Sequence, residues 1–239
     1  MDEKLHQTYR RVEQTHWWFV GRRQLILDFL EGQSSGAKIL DFGCNAGFLV
    51  NFLRQRGREV QGCDKSADAV AFGQAQGISG LTLSQEEELP FANEQFETVL
   101  CLDVLEHLAD DFKGLQEIRR VLKPGGRALV TVPAFKFLWG LQDEASHHFR
   151  RYRLKELKIL AAKSGFKAIR ASYFNFFLFA PIALARFWQK IFKPRRGSDF
   201  ELNNPLSNRL FKKIFLGEIK LLRRFNFPWG VSIFIIIQK

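Results

Sequence analysis

The chain has 239 residues, 46% hydrophobic and 26% charged, the composition of a globular protein long enough to bury a full core and unlike that of a disordered or fibrous chain. Its formal net charge is +11, yet no run reaches the roughly 18 apolar residues of a membrane-spanning helix, and the charged residues 1–6 lack the apolar core of a secretory signal. Cys44, Cys63 and Cys101 show neither CxxC spacing nor histidine partners at metal-ligand distances, so they read as buried thiols of a reducing compartment.

Residues 1–31 read as helical, with Leu5, Tyr9, Val12, His16 and Phe19, then Leu25, Ile26, Phe29 and Leu30, recurring at helical spacing. A strand at 38–42 then runs into the turn Asp41-x-Gly43-x-Asn45-x-Gly47 and a helix-like stretch from Phe48. Glycines at such a junction let the backbone approach a ligand closely, and Asn tolerates the left-handed region better than any other residue with a side chain. Strand, turn and helix in this order place a ligand at the carboxyl edge of a parallel sheet. The spacing is not the dinucleotide pattern G-x-G-x-x-G. A second strand at 58–63 ends at Asp64, where a carboxylate can accept two ribose hydroxyls. A third strand at 81–84 leads into Gln85, Glu86 and the Leu89-Pro90-Phe91 stretch. The fourth, at 97–102, leads into Asp103-Val104-Leu105-Glu106-His107.

The segment 121–133 carries a Lys123-Pro124-Gly125-Gly126 turn and a fifth strand at 127–132. After it come Trp139 to Asp143 and then His147-His148-Phe149-Arg150-Arg151-Tyr152. His148, Arg151 and Tyr152 offer a base, an anion clamp and a hydroxyl within one turn, with a helix-capping histidine as the plainer alternative for His148. A helix at 155–164 closes on Gly165, strand six follows at 166–173, and the β-branched run 230–238 is the strongest strand in the chain. Strands alternating with helices predict a doubly wound α/β sheet.

About 55 residues separate the last two strands, and this segment, 175–229, holds most of the charge excess. Eleven Lys and Arg face three acids there, a net +8 against +3 for the rest, together with 12 of the 33 aromatics. Apolar, aromatic-rich helices with a basic polar face suit a membrane interface; the alternative is an elaborated cap packed on the core. Nucleic acid is disfavoured, because the aromatics form long apolar runs instead of alternating singly with cations.

Taken in order, the motifs over residues 38–133 resemble the class I S-adenosylmethionine (SAM) methyltransferases of the type 11 kind. Asp41-x-Gly43-x-Asn45-x-Gly47 resembles their D/E-x-G-x-G-x-G, with Asn45 in place of the middle glycine, and the LPF, LEH and LKPGG stretches follow in family order. HWWFxxRR at 16–23 and HHFRRY at 147–152 resemble a bacterial subgroup, in which a GHxRRY stretch has glycine where this chain has His147. The resemblance implies a Rossmann-like seven-stranded sheet whose last strand is antiparallel. The expected layout is a single domain with an N-terminal helical lid (1–31), a core (38–174 and 230–238) and a helical insertion (175–229). It also implies SAM as cofactor: Asp41 for the methionine amino end, Gly43, Asn45 and Gly47 for close approach, Asp64 for the ribose, Gln85 and Glu86 beside adenine, and Leu102 and Asp103 beside the transferred methyl. Trp17 and Trp18 are expected either as a lid on the cofactor or as core. His107 is expected to line the cofactor pocket or to buttress strand four.

Methyl transfer from a sulfonium is an in-line displacement that needs no metal, so the acceptor side calls only for alignment and, for oxygen, a base. The expected acceptor is an oxygen on a lipid-like or lipid-linked molecule, such as a polyprenyl-linked saccharide or a quinol, met by a cytoplasmic enzyme at the membrane surface. The alternatives are a soluble small molecule with the insertion as a lid, and an inactive SAM-binding or membrane-docking partner protein. Oligomeric state is not legible in the sequence.

Overall fold

The computed structural model describes residues 12–85, 88–192 and 204–239. Seven strands form one sheet in the order β3-β2-β1-β4-β5-β7-β6, with β7 antiparallel as the resemblance implied. The chain divides into two compact units.

The sheet unit comprises Glu31–Val132, Lys155–Ala171 and Ile235–Lys239. Its first strands are β1 (Lys38–Phe42), β2 (Glu59–Asp64), β3 (Leu81–Leu83) and β4 (Phe96–Leu102), and β1–β2, β2–β3 and β1–β4 pair in parallel. A parallel sheet is covered on both faces, so its strands read as continuous apolar runs rather than alternating ones. In β4 only Glu97 escapes full burial. Helix α1 (Trp17–Leu30) precedes these strands in the chain, while α2 (Phe48–Arg54) and α3 (Ala67–Ala75) connect them. Ser66 caps α3 by accepting the Ala69 N–H at 3.2 Å, and Asp110 caps α4 (Asp111–Val121) by accepting that of Lys113 at 3.0 Å.

Strand β5 (Leu122–Pro133) begins five residues before the predicted edge. Its ladder with β4 pairs Phe96 with Leu122 and next Thr98 with Arg127, so residues 123–126 bulge out of register. The Lys123-Pro124-Gly125-Gly126 turn therefore lies inside the strand.

The aromatic unit comprises Met1–Leu30, Pro133–Leu154 and Ser172–Phe234. Helix α1 starts only at Trp17, after a turn over residues 13–16, so the helix predicted for 1–31 is interrupted among the described residues. Buried His16 makes the break by turning its Nδ1 back to accept the Trp18 N–H at 3.2 Å. Further along this unit lie α5 (Leu141–Ala145), α7 (Phe179–Phe192) and α8 (Pro205–Leu222), whereas α6 (Leu154–Lys163) falls almost wholly in the sheet unit, and β6 (Lys167–Phe174) and β7 (Ser232–Gln238) are each divided between the two in sequence. The rings of Trp18, Phe174 and Phe215 lie nearly parallel, with centroids 5.6–6.1 Å apart. Trp17 meets Phe211 and Phe215 edge-on, and its N–H donates to Asn208 Oδ1 at 2.7 Å. Both tryptophans are thus engaged in packing α1 against α8. Gly21 makes that approach possible, since a Cβ there would fall 2.1 Å from Phe215 Cδ1.

Buried Glu218 of α8 holds the start of the inserted segment. Its carboxylate accepts the consecutive N–H groups of Asn175, Phe176 and Phe177, the last two at 2.8 and 3.0 Å. Three amides converging on one carboxylate form an anion nest.

Candidate functional site

In the sheet unit the turn after β1 has the geometry its residue types predict. Gly43, Asn45 and Gly47 have φ of +79°, +50° and +78°, and Gly47 is the N-cap of α2. The N–H groups of Gly43 and Cys44 both donate to Cys63 O, at 2.8 and 3.0 Å, tying the turn to the end of β2. Asp64 completes the tie: Oδ2 accepts the Asn45 N–H at 2.7 Å and Oδ1 accepts that of Ser66 at 2.9 Å. Each carboxylate oxygen keeps acceptor capacity beyond one such bond. Asp41 is 3% exposed at the end of β1. Gln85 lies exposed just past β3, beyond Ser84, whose N–H donates to Asp64 O at 2.9 Å; Glu86 lies outside the described residues.

The loop beyond is fixed by Arg120, which donates to Leu89 O, Phe91 O and Asn93 Oδ1 at 2.8–2.9 Å while pairing with Glu117. At the end of β4, Leu102 is buried and Asp103 adopts φ +57°. That conformation is held from both sides. The Asp103 N–H donates to Thr131 O at 3.0 Å, and the Thr131 hydroxyl donates to Asp103 Oδ1 at 3.1 Å. Glu106 is buried and His107 half-buried in the 3-10 turn Leu105–His107. Burial pushes the three thiols up, Cys63 to about 12, which disfavours the thiolate form of each.

The aromatic unit brings His148 and Arg151 together around a residue absent from that prediction. Asp143, fully buried in α5, accepts His148 Nδ1 and Arg151 Nε on Oδ1 at 2.9 and 2.7 Å, and Arg151 Nη2 and the Gly140 N–H on Oδ2 at 2.9 and 2.8 Å. Burial alone would raise its carboxyl. The bonds from His148 and Arg151 and the Arg151 charge outweigh burial and hold it well below the usual carboxylate range.

Arg151 also donates to Ala134 O at 2.9 Å, and its side chain is 5% exposed. Its guanidinium is therefore turned to a protein carboxylate and a carbonyl, which corrects the expectation of a clamp for a substrate anion. Tyr152 is likewise buried, bridged through its backbone to Ala134, so its hydroxyl is not displayed at a surface. His147 has φ +54°, which explains why glycine suits this position in the subgroup it resembles. Asp143 was missed because its partners, five and eight residues on, meet it only through the fold of the intervening turn.

Residues 40–130 match the family described as the methyltransferase domain. A ubiquinone biosynthesis O-methyltransferase of Pseudomonas fluorescens is 29% identical over 153 residues, which are 55% of this chain and 65% of that protein. The chain thus spans a little under two thirds of the length of that relative. A SAM-dependent methyltransferase from Archaeoglobus fulgidus superposes with a TM-score of 0.60 at 18% identity, covering 97% of this chain and 99% of that one. The Haemonchus contortus phosphoethanolamine N-methyltransferase 2, solved with SAM, gives 0.61 at 19% identity, covering 91% and 52%. At such identities the likeness is one of fold.

Proposed function

Because the chain belongs, through residues 40–130, to the class I SAM-dependent methyltransferases, we propose that it transfers a methyl group to an oxygen of a lipid-like or lipid-linked acceptor at a membrane surface. The observation that carries the membrane part is the inverted helix α7. Leu184, Phe187, Trp188, Ile191 and Phe192, on one face at i, i+3, i+4, i+7 and i+8, are 53–66% exposed, whereas Arg186 is 7% exposed. Leaving such a stripe in water forgoes about 1–2 kcal/mol per side chain, since each is about half to two thirds exposed, a cost a bilayer interface removes. Among the described residues no helix is long and apolar enough to cross a membrane, so the stripe would lie in the interface plane. The O-methyltransferase name of the Pseudomonas relative supports oxygen as the receiving atom.

The turn geometry fits a SAM-type cofactor, which supplies the activated methyl group when bound. Gly43, Asn45 and Gly47 would line its passage, Asp64 would accept the ribose hydroxyls with the lone pairs its two amide bonds leave, and Asp41 would hold the amino end. Gln85 and Glu86 would flank the adenine, while Leu102 and the strained Asp103 would border the reacting carbon. His148 would take the acceptor proton. Arg151 and Tyr152 would act by positioning, not by touching the acceptor.

Incubating the protein with labelled SAM and separate lipid and polar cell extracts tests the reading, with label expected in the lipid fraction. Label in the polar fraction alone would replace it with a soluble acceptor and the insertion as a lid. Sedimentation with anionic vesicles tests the surface independently. Phe187→Ser/Trp188→Ser should weaken the salt-resistant part of binding, and Lys190→Gln, which removes one cation, should weaken the salt-sensitive part by about 1 kcal/mol.

A further inference from the structure

The surroundings of Asp143 determine more than its own charge. Three fixed N–H groups donate to its two oxygens, two from Arg151 and one from the backbone of Gly140, and its remaining contact is with His148 Nδ1. The Arg151 guanidinium, bonded to both oxygens, opposes their protonation. Asp143 is therefore an acceptor only. Its contact with His148 Nδ1 at 2.9 Å then requires the hydrogen to sit on that nitrogen. The ring cannot readily swing away, because the His148 N–H also donates to Asp143 O at 2.9 Å and Arg151 anchors the carboxylate to Ala134 O.

We propose that Asp143 is a positioning residue for methyl transfer: it fixes the His148 tautomer so that Nε2 is the proton-accepting nitrogen, while Arg151 fixes Asp143. The inference rests on the reading of His148 as the general base. As the acceptor oxygen bonds to the methyl carbon, the carbon–sulfur bond breaks with its electron pair on sulfur, and the hydroxyl proton passes to Nε2. The ring then carries hydrogen on both nitrogens, and its positive charge sits beside the Asp143 carboxylate. A base with the opposite tautomer would present an N–H where the step needs a lone pair.

The test combines nitrogen-15 spectra of the intact wild-type protein with methyl transfer from labelled SAM into recombined lipid and polar cell extract. The His148 ring, assigned by its loss in His148→Gln, should show its neutral-form hydrogen on Nδ1. A hydrogen on Nε2 overturns the inference whatever the activity. Asp143→Asn should lower the rate per SAM-binding-competent molecule at least about tenfold, with cofactor affinity and the half-saturating extract concentration changed by less than about twofold. An unchanged rate per competent molecule makes Asp143 structural and overturns the inference. If Asp143→Asn does not fold because Arg151 is left buried and unpaired, Asp143→Asn/Arg151→Gln, which removes both charges, takes its place under the same criteria. A fully active His148→Gln would instead sink the base reading itself, an outcome separate from the ring spectrum.

Discussion

The turn of the sheet unit and the Asp143 cluster of the aromatic unit solve the same problem, holding a carboxylate in place, by different means. Asp64 is held by backbone N–H groups at Asn45 and Ser66, and Asp143 mainly by the side chains of His148 and Arg151. Backbone donors are supplied by any sequence that can adopt the turn, so the turn residues alone reveal the site. Side-chain donors must be matched one by one, and their meeting depends on how the chain folds between them. Burial differs accordingly: Asp64 is partly open to water and Asp143 is sealed. The first arrangement suits a group that receives a ligand, the second a group that directs another residue.

The largest expected effect extends the comparison to Glu218, a buried carboxylate held by backbone donors alone. Glu218→Ala leaves three amides without their acceptor, and at about 1–3 kcal/mol for each buried unsatisfied group the loss should be about 3 kcal/mol or more. Glu218→Gln keeps one oxygen and should lose less. Urea denaturation measures both. Equal midpoints for the wild type and Glu218→Ala would mean that water satisfies these amides and that the start of the insertion is not pinned.

Acid offers a second way to separate the units. Burial lowers the His16 pKa from 6.5 to about 4, so the folded ring stays neutral while the unfolded one takes a proton. The stability this contributes is present above pH 6.5 and lost as pH falls toward about 4. At about 1.4 kcal/mol per pKa unit, the loss should be on the order of 2–3 kcal/mol. Melting temperature followed from pH 7 to 4 should fall more steeply in wild type than in His16→Gln; parallel curves would remove His16 as the cause.

Asp64→Ala addresses the sheet unit alone. SAM affinity should drop by about 1–3 kcal/mol, through loss of the charged acceptor and loosening of the turn at Asn45 and Ser66. Calorimetry giving equal affinity in wild type and variant would reject the ribose role.

Much of the fold was legible because the sheet unit follows local rules. Strand edges fell within two residues for β1 to β4, where short β-branched or apolar stretches end at turn residues, and the near-continuous burial of β4 marks it as central. Asn45 was expected to tolerate the left-handed region and does. The edge of β5 was missed because residues 123–126 keep one ladder pair before bulging, which no turn motif reveals. The break before Trp17 was missed because helical periodicity runs straight through His16. In the insertion the two helices were legible. The inward turn of Arg186 and the outward turn of its apolar neighbours were not, since both faces of α7 carry apolar residues and periodicity does not say which one meets the protein.

His147 provides the smallest and most local prediction. With φ +54° it occupies a conformation that costs a residue with a Cβ about 1–2 kcal/mol and costs glycine almost nothing. Glycine in turn loses about 0.5–1 kcal/mol through the greater freedom of its unfolded chain. His147→Gly should therefore stabilise the protein, by a few tenths to about 1 kcal/mol, and His147→Val should destabilise it, because a β-branched residue fits this region worst. Chemical denaturation resolves changes of this size when both variants are compared with wild type at one pH. The sign for His147→Gly is decisive. A gain means that the chain tolerates strain here, next to the histidine whose ring Asp143 holds, whereas a loss means that interactions of the His147 side chain outweigh the backbone cost.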